Sequence, residues 1–210
     1  MKTLLLAGAT GLVGQHVLRL ALADPRVACV VAPTRRALPA HAKLVNPVVD
    51  FDHLPPDANW WKADAVVCAL GTTMAKAGSK PAFRRVDLEL PLQVARLSQR
   101  HGATSYALNS ALGADAASKV FYSRTKGELE QALRAMTFTS LTLVRPGLLD
   151  GDRQESRPAE RMGIWVSKVF GPLLPRRYQV VPAQRVAHHL LESALAGEPG
   201  VKVLPSEQLL

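Results

Sequence analysis

The stretch KTLLLAGATGLVG, Lys2 to Gly14, decides how the rest of the chain is read. An apolar run from Thr3 to Ala7 meets three glycines, Gly8, Gly11 and Gly14, and an apolar-periodic segment follows at once. That order predicts a buried strand, a tight turn and a helix start, which is the setting a dinucleotide-binding turn requires. Gly8 lets the chain leave the strand, Gly11 lets bare backbone approach a pyrophosphate, and Gly14 lets the helix pack close on the sheet. The unpaired N–H groups of that helix would face the phosphates. Ala9, Thr10, Leu12 and Val13 complete the set of expected contacts in the turn.

Working outward, apolar runs alternate with helical periodicity. Strands are expected at 27–32, 43–49, 63–70, 105–110, 140–145 and 201–204, and helices at 12–23, 82–101, 119–136 and 183–196. Alternation of this kind implies βαβ units and a parallel sheet. The predicted fold is α/β, a Rossmann-type doubly wound parallel sheet in a single domain over residues 1–210, with a small C-terminal lid or substrate segment at 148–181. Residues 75–81 read as a polar, mobile rim of the cleft.

At 210 residues the chain has room for one well-cored domain. A hydrophobic share of 48% with mean hydropathy near zero describes a soluble globular protein, and no stretch reaches the ~18 apolar residues of a membrane span. A cytoplasmic protein with no membrane association is expected. Cys29 and Cys68 both fall in predicted strands and read as buried thiols rather than a disulfide. The net charge of +9 suits an anionic partner, but the basic residues are scattered and no nucleic-acid-binding motif accompanies them, so nucleic acid is not expected. His188 and His189 lack an acidic neighbour at ligand spacing, and no metal is expected.

The residues past the second strand, Ala32-Pro33-Thr34-Arg35-Arg36, contain no acid. A carboxylate there would hold a ribose 2′-hydroxyl, whereas arginine accommodates a 2′-phosphate, so Arg35 and Arg36 point to NADP(H). Asp50 and Phe51 end the third strand near the expected adenine position, with core packing an equal account of Phe51. Leu70, Gly71, Thr72 and Thr73 end the fourth strand where ligands bind in such sheets. Asn109 is a further candidate contact at the end of the fifth strand.

Tyr122 and Lys126 stand four residues apart and share a helix face, and Ser110 closes the fifth strand twelve residues before Tyr122. A phenol of unperturbed pKa near ~10 becomes a useful acid or base once an adjacent ammonium lowers it. Tyr122 is therefore the candidate acid/base, with Lys126 lowering its pKa and binding the nicotinamide ribose, and Ser110 holding the substrate oxygen.

These residues carry a resemblance. GATGLVG, CALGTTMAKAG (68–78), FRRVD (83–87), SALGAD (110–115), the Tyr122–Glu128 run and RPGLLDGDRQESRP (145–158) resemble the atypical short-chain dehydrogenases/reductases, in particular the Tat-interactive-protein-like oxidoreductases. The resemblance implies NADP binding by the glycine and arginine turns, and catalytic roles for Ser110, Tyr122 and Lys126. It also implies contact of the backbone around Arg145, Pro146 and Leu148 with the nicotinamide amide. Asp87 stands where many relatives in the wider superfamily carry an asparagine that completes a proton relay. Asp152, Arg153, Glu155, Arg157, Glu160 and Arg161 are expected in the lid.

The sequence thus predicts an NADP(H)-dependent oxidoreductase acting on a small carbonyl or alcohol, as a monomer or homodimer. The alternative is a non-catalytic NADP(H)-binding regulator that senses cofactor and binds a partner protein. A nucleotide-sugar epimerase needs a larger segment after the sixth strand than about 60 residues allow.

Overall fold

The computed structural model describes residues 1–150 and 175–210. Seven strands form one parallel sheet in the order β3-β2-β1-β4-β5-β6-β9. They are β1 (Lys2–Ala7), β2 (Val27–Val31), β3 (Leu44–Val45), β4 (Ala65–Cys68), β5 (Ser105–Asn109), β6 (Ser140–Arg145) and β9 (Gly200–Pro205). A separate two-stranded parallel pair joins β7 (Leu149–Asp150) to β8 (Val181–Pro182).

The apolar alternation along β1 sorts the core into two layers, because successive strand residues face opposite sides. Leu4 and Leu6 pack with α1 (Leu12–Ala23) and α6 (Ala183–Ala196), whereas Leu5 and Ala7 face α4 (Leu90–Arg100) and α5 (Phe121–Arg134). Helices on both faces fully bury Leu4 to Ala7 of β1 and all of β4, which fits the unbroken apolar runs there. The strand order reverses between β1 and β4, and in sheets of this kind ligands bind at such a switch point, beyond the carboxyl ends of the strands.

Three expectations change. The predicted third strand at 43–49 shrinks to Leu44–Val45 plus a single bridge between Thr34 and Val48, since Pro47 has no N–H for the ladder. The predicted mobile rim at 75–81 is helical: α2 (Met74–Ala77) is capped by Thr73, and α3 (Lys80–Arg84) by Ser79. The helix expected at 82–101 runs from α3 into α4 through a π-helical turn, Arg85–Glu89, closed by a bond from the Leu90 N–H to the Arg85 carbonyl. Pro91 explains the wider turn, because it offers no N–H to the Asp87 carbonyl four residues before it. Most of the predicted lid, including Asp152 to Arg161, lies outside the described residues.

Candidate active site

The glycine turn is built as tightly as its spacing requires. Gly8 sits at φ +91, and a Cβ there would come within 2.6 Å of the Ala69 backbone at the end of β4. A Cβ on Gly14 would lie 2.0 Å from the Gly8 carbonyl oxygen, so the helix approaches the turn as closely as bare backbone permits. Gly11 begins α1 with no side chain capping it and no acid in the first turn. The amide N–H groups there open onto a cleft of about 760 Å³, well within the size range of small-molecule sites.

Thr10 to Val13 form one wall of that cleft, Leu70 to Thr73 another, and Asn109 to Leu112 a third. Tyr122 and Lys126 from α5 close it, together with Pro146 to Leu149 and Tyr178. The carboxyl ends of β1, β4, β5 and β6 thus converge with α5 at one place.

Tyr122 is 39% exposed and packs its ring on Phe83, with centroids 5.7 Å apart. One turn further into the fold, Lys126 is buried at 3% and its Nζ lies 2.7 Å from Asp87 Oδ1. Asp87, itself 1% exposed, also accepts a hydrogen bond from the Thr72 N–H at 2.8 Å. Burial is the largest influence on Lys126 and works against its charge, yet the Asp87 carboxylate leads the influences that outweigh it and hold the ammonium above its ordinary pKa. Asp87 is thereby a counter-ion to Lys126.

Ser110 is engaged from behind. Its hydroxyl donates to Glu130 Oε1, and Arg145 grips the same carboxylate at both oxygens, with Nε 2.9 Å from Oε1. Hydrogen bonding to Glu130 raises the pKa of Arg145 above its already high value. Glu130 is the functional-looking residue that sequence reasoning missed. Tyr122, Lys126 and Glu130 recur at a spacing of four, so a carboxylate on the reactive helix face was the available signal.

The remaining expected contacts divide. Gly8, Ala9 and Gly14 support the turn from below rather than lining the cleft, and Arg145 is turned to Glu130. Arg35 and Arg36 are exposed beyond β2, at the same end of the sheet as the glycine turn but outside the cleft lining. Asp50 bonds His53 at 2.8 Å, and Phe51 packs against the core, so neither reaches the cleft.

A nicotinamide dinucleotide fits this residue set on two counts. The glycine turn leaves backbone N–H groups toward the cleft where a side chain would fill the space. Asn109 Oδ1 is buried with no hydrogen-bond partner among the described residues, an acceptor suited to a ligand hydroxyl or amide. Among the described residues no cluster of His, Cys, Asp or Glu forms a metal site, and no helix is long and apolar enough to cross a membrane.

Comparison with known proteins places these features in company. The chain is 33% identical to protein HTATIP2 of Rattus norvegicus over 218 aligned residues, covering 100% of this chain and 88% of that one. It is 34% identical over 185 residues to protein fmp52, mitochondrial, of Emericella nidulans, covering 81% and 77% respectively. No protein-family model matches the chain. Among solved structures, a UDP-Glc/GlcNAc 4-epimerase from Campylobacter jejuni superposes with a TM-score of 0.71 at 12% identity, over 100% of this chain and 82% of that one. The enzyme WbmG of Bordetella bronchiseptica, solved in complex with NAD, gives 0.68 at 14% identity, covering 98% and 73%. At such identities the likeness concerns the fold. The cytoplasmic location expected from the sequence is overturned, because the Fmp52 relatives are named as mitochondrial proteins.

Proposed function

The chain belongs to the family of the HTATIP2 and Fmp52 proteins, atypical short-chain dehydrogenases/reductases, and from that premise we propose that it is an NADP(H)-dependent oxidoreductase of a small carbonyl or alcohol. The observation that carries the reading is the pairing of Tyr122 with the buried ammonium of Lys126 in the cleft that the glycine turn opens onto. A redox site that moves hydride must also move a proton at the substrate oxygen, and a phenol beside a fixed cation is built for that transfer. The NAD carried by the neighbour WbmG supports a dinucleotide in general, and the acid-free Arg35-Arg36 turn supports the 2′-phosphate form.

In this reading the Thr10–Val13 amides hold the pyrophosphate, and Thr72 with Asn109 lines the ribose and nicotinamide end. When bound, the dinucleotide supplies or accepts the hydride. Tyr122 gives its proton to the oxygen of a carbonyl being reduced and regains one from solvent, to which it is partly open. Lys126 holds the phenol in register. Ser110, whose hydroxyl donates to Glu130, is left to accept a hydrogen bond from the hydroxyl of the alcohol form of the substrate. Mitochondrial residence, the location in the Fmp52 names, completes the proposal.

That commitment of the Ser110 proton favours one other reading, an NADP(H)-binding regulator that does not turn over substrate. Fluorescence titration with NADPH and NADH separates them stepwise. Tight, NADPH-selective binding that loses its selectivity in Arg35→Ala supports the cofactor assignment. Turnover of any member of a carbonyl panel that disappears in Tyr122→Phe, with binding retained, supports the enzyme. Absence of binding by either nucleotide overturns both readings together.

A further inference from the structure

Asp87 is placed by an unusual piece of helix. The π turn at Arg85–Glu89 carries it into the interior, where one oxygen meets Lys126 Nζ and the other takes the Thr72 N–H. Its neighbour across the gap, the Gly71 backbone, lies so near that a Cβ there would come 3.3 Å from Asp87 Oδ1 and 3.7 Å from Lys126 Nζ. The carboxylate is thus wedged between the loop that walls the cleft and the cation that faces Tyr122.

We infer that Asp87 is a positioning residue that acts on Tyr122 through Lys126, offsetting the ammonium so that the phenol keeps its proton at neutral pH and the site favours carbonyl reduction over alcohol oxidation. The inference rests on the oxidoreductase reading above. A lone buried ammonium lowers a neighbouring acid by as much as ~3 pH units, which would bring a phenol close to neutrality and make it a ready base. A carboxylate in contact with that ammonium cancels much of its field at the phenol. The protonated phenol is then the resident form, and a carbonyl that gains hydride at carbon from a reduced nicotinamide dinucleotide takes its proton at oxygen from Tyr122. The C=O π bond is replaced by new C–H and O–H bonds, the carbonyl is reduced and the dinucleotide oxidised.

Other groups around the lysine do not replace this effect. From β4 Cys68 faces it as a thiol whose pKa burial pushes up, and from β5 Tyr106 is buried and likewise held in its neutral form. On α5 itself Glu130 is matched by Arg145 of β6, so that pair adds little net charge. On the exposed side of α5, Glu128 is matched by Arg84 of α3. Among the described residues Asp87 is the anion in contact with Lys126.

The chain has three tyrosines, which makes the test direct. Phenolate formation is followed by near-ultraviolet absorbance as pH is raised on the full-length protein without nucleotide, and Tyr122→Phe and Tyr178→Phe assign the steps. Asp87→Asn is expected to lower the Tyr122 step by about one pH unit or more, Lys126→Met to raise it, and Asp87→Glu to restore it toward wild type. Asp87→Ser, smaller and with a hydroxyl left for the Thr72 N–H, removes the same charge by a second route. Circular dichroism confirms that each variant is folded. A Tyr122 step that stays put or rises in both charge-removing variants overturns the inference. Because no nucleotide is present, that result is distinct from a failure of the cofactor reading, which only the NADPH titration decides.

Discussion

Lys126 and Ser110 each meet a buried carboxylate, and the two carboxylates are held differently. Glu130 is gripped by Arg145 and directs the Ser110 proton away from the cleft, whereas Asp87 is shared between a backbone amide and Lys126. The pH dependence of stability follows from the lysine. Its folded-state pKa lies above the ordinary 10.5, so its contribution is present in full below that value and is lost as pH climbs through the raised folded value. Urea unfolding should therefore show wild type losing stability relative to Lys126→Met as pH passes 10.5, whatever their order at neutral pH. No such relative loss would mean that the ammonium gains nothing from Asp87. At this scale the sequence was readable where spacing encodes geometry: Tyr122 and Lys126 at four residues, and glycines at positions where a side chain has no room. It was opaque where two distant segments supply one contact. Nothing local to Ser110 signals that Glu130 takes its proton, and nothing local to Arg145 signals that it faces a carboxylate rather than a ligand.

Among the elements, the helix from Lys80 to Arg100 does the most to build the site. Hydrophobic periodicity identified it, but periodicity does not register one wider turn, and the π segment is what aims Asp87 at Lys126. Pro91 was the legible clue. Deleting the exposed Glu89 together with Pro91→Ala should let the segment close into ordinary α-helix with its two halves still in register and swing Asp87 away from Lys126. The expected result is helical content close to wild type by circular dichroism, with the tyrosine titration altered and NADPH affinity reduced. Unchanged titration in a folded deletion variant would show that the π turn has no part in the site. The edge of the sheet at β3 was overread for the opposite reason. Residues 43–49 have strand-like composition, but with Pro47 among them the strand shortens to Leu44–Val45, with one isolated bridge at Val48 beyond it.

For the molecule as a whole, the order of the sheet was largely implied once the glycine turn fixed β1, since short alternating elements leave few parallel arrangements. The two ends of the chain are less predictable from pattern, yet they lie close to the middle of its energetics. Leu209 is fully buried in the layer under α1 and α6, on the face opposite Trp61. Leu209→Ala should lower unfolding free energy by about 2–5 kcal/mol. In a Trp165→Phe background, fluorescence of Trp60 and Trp61 reports the other face and should show the same shift in midpoint as circular dichroism if both layers unfold as one unit. Two separated transitions would divide the molecule into independent halves.

The loop after β6 shows what such global dependence means in time. The Gly147 N–H, in the wall of the cleft, donates at 3.1 Å to Ser206 Oγ, which follows β9 directly. A ribosome releases the glycine turn first and Ser206 almost two hundred residues later. Through most of its synthesis the nascent polypeptide therefore carries the glycine turn without the strand that braces the opposite wall. Ligand retention becomes a property of finished molecules, and a partly made or C-terminally clipped copy should not sequester nucleotide.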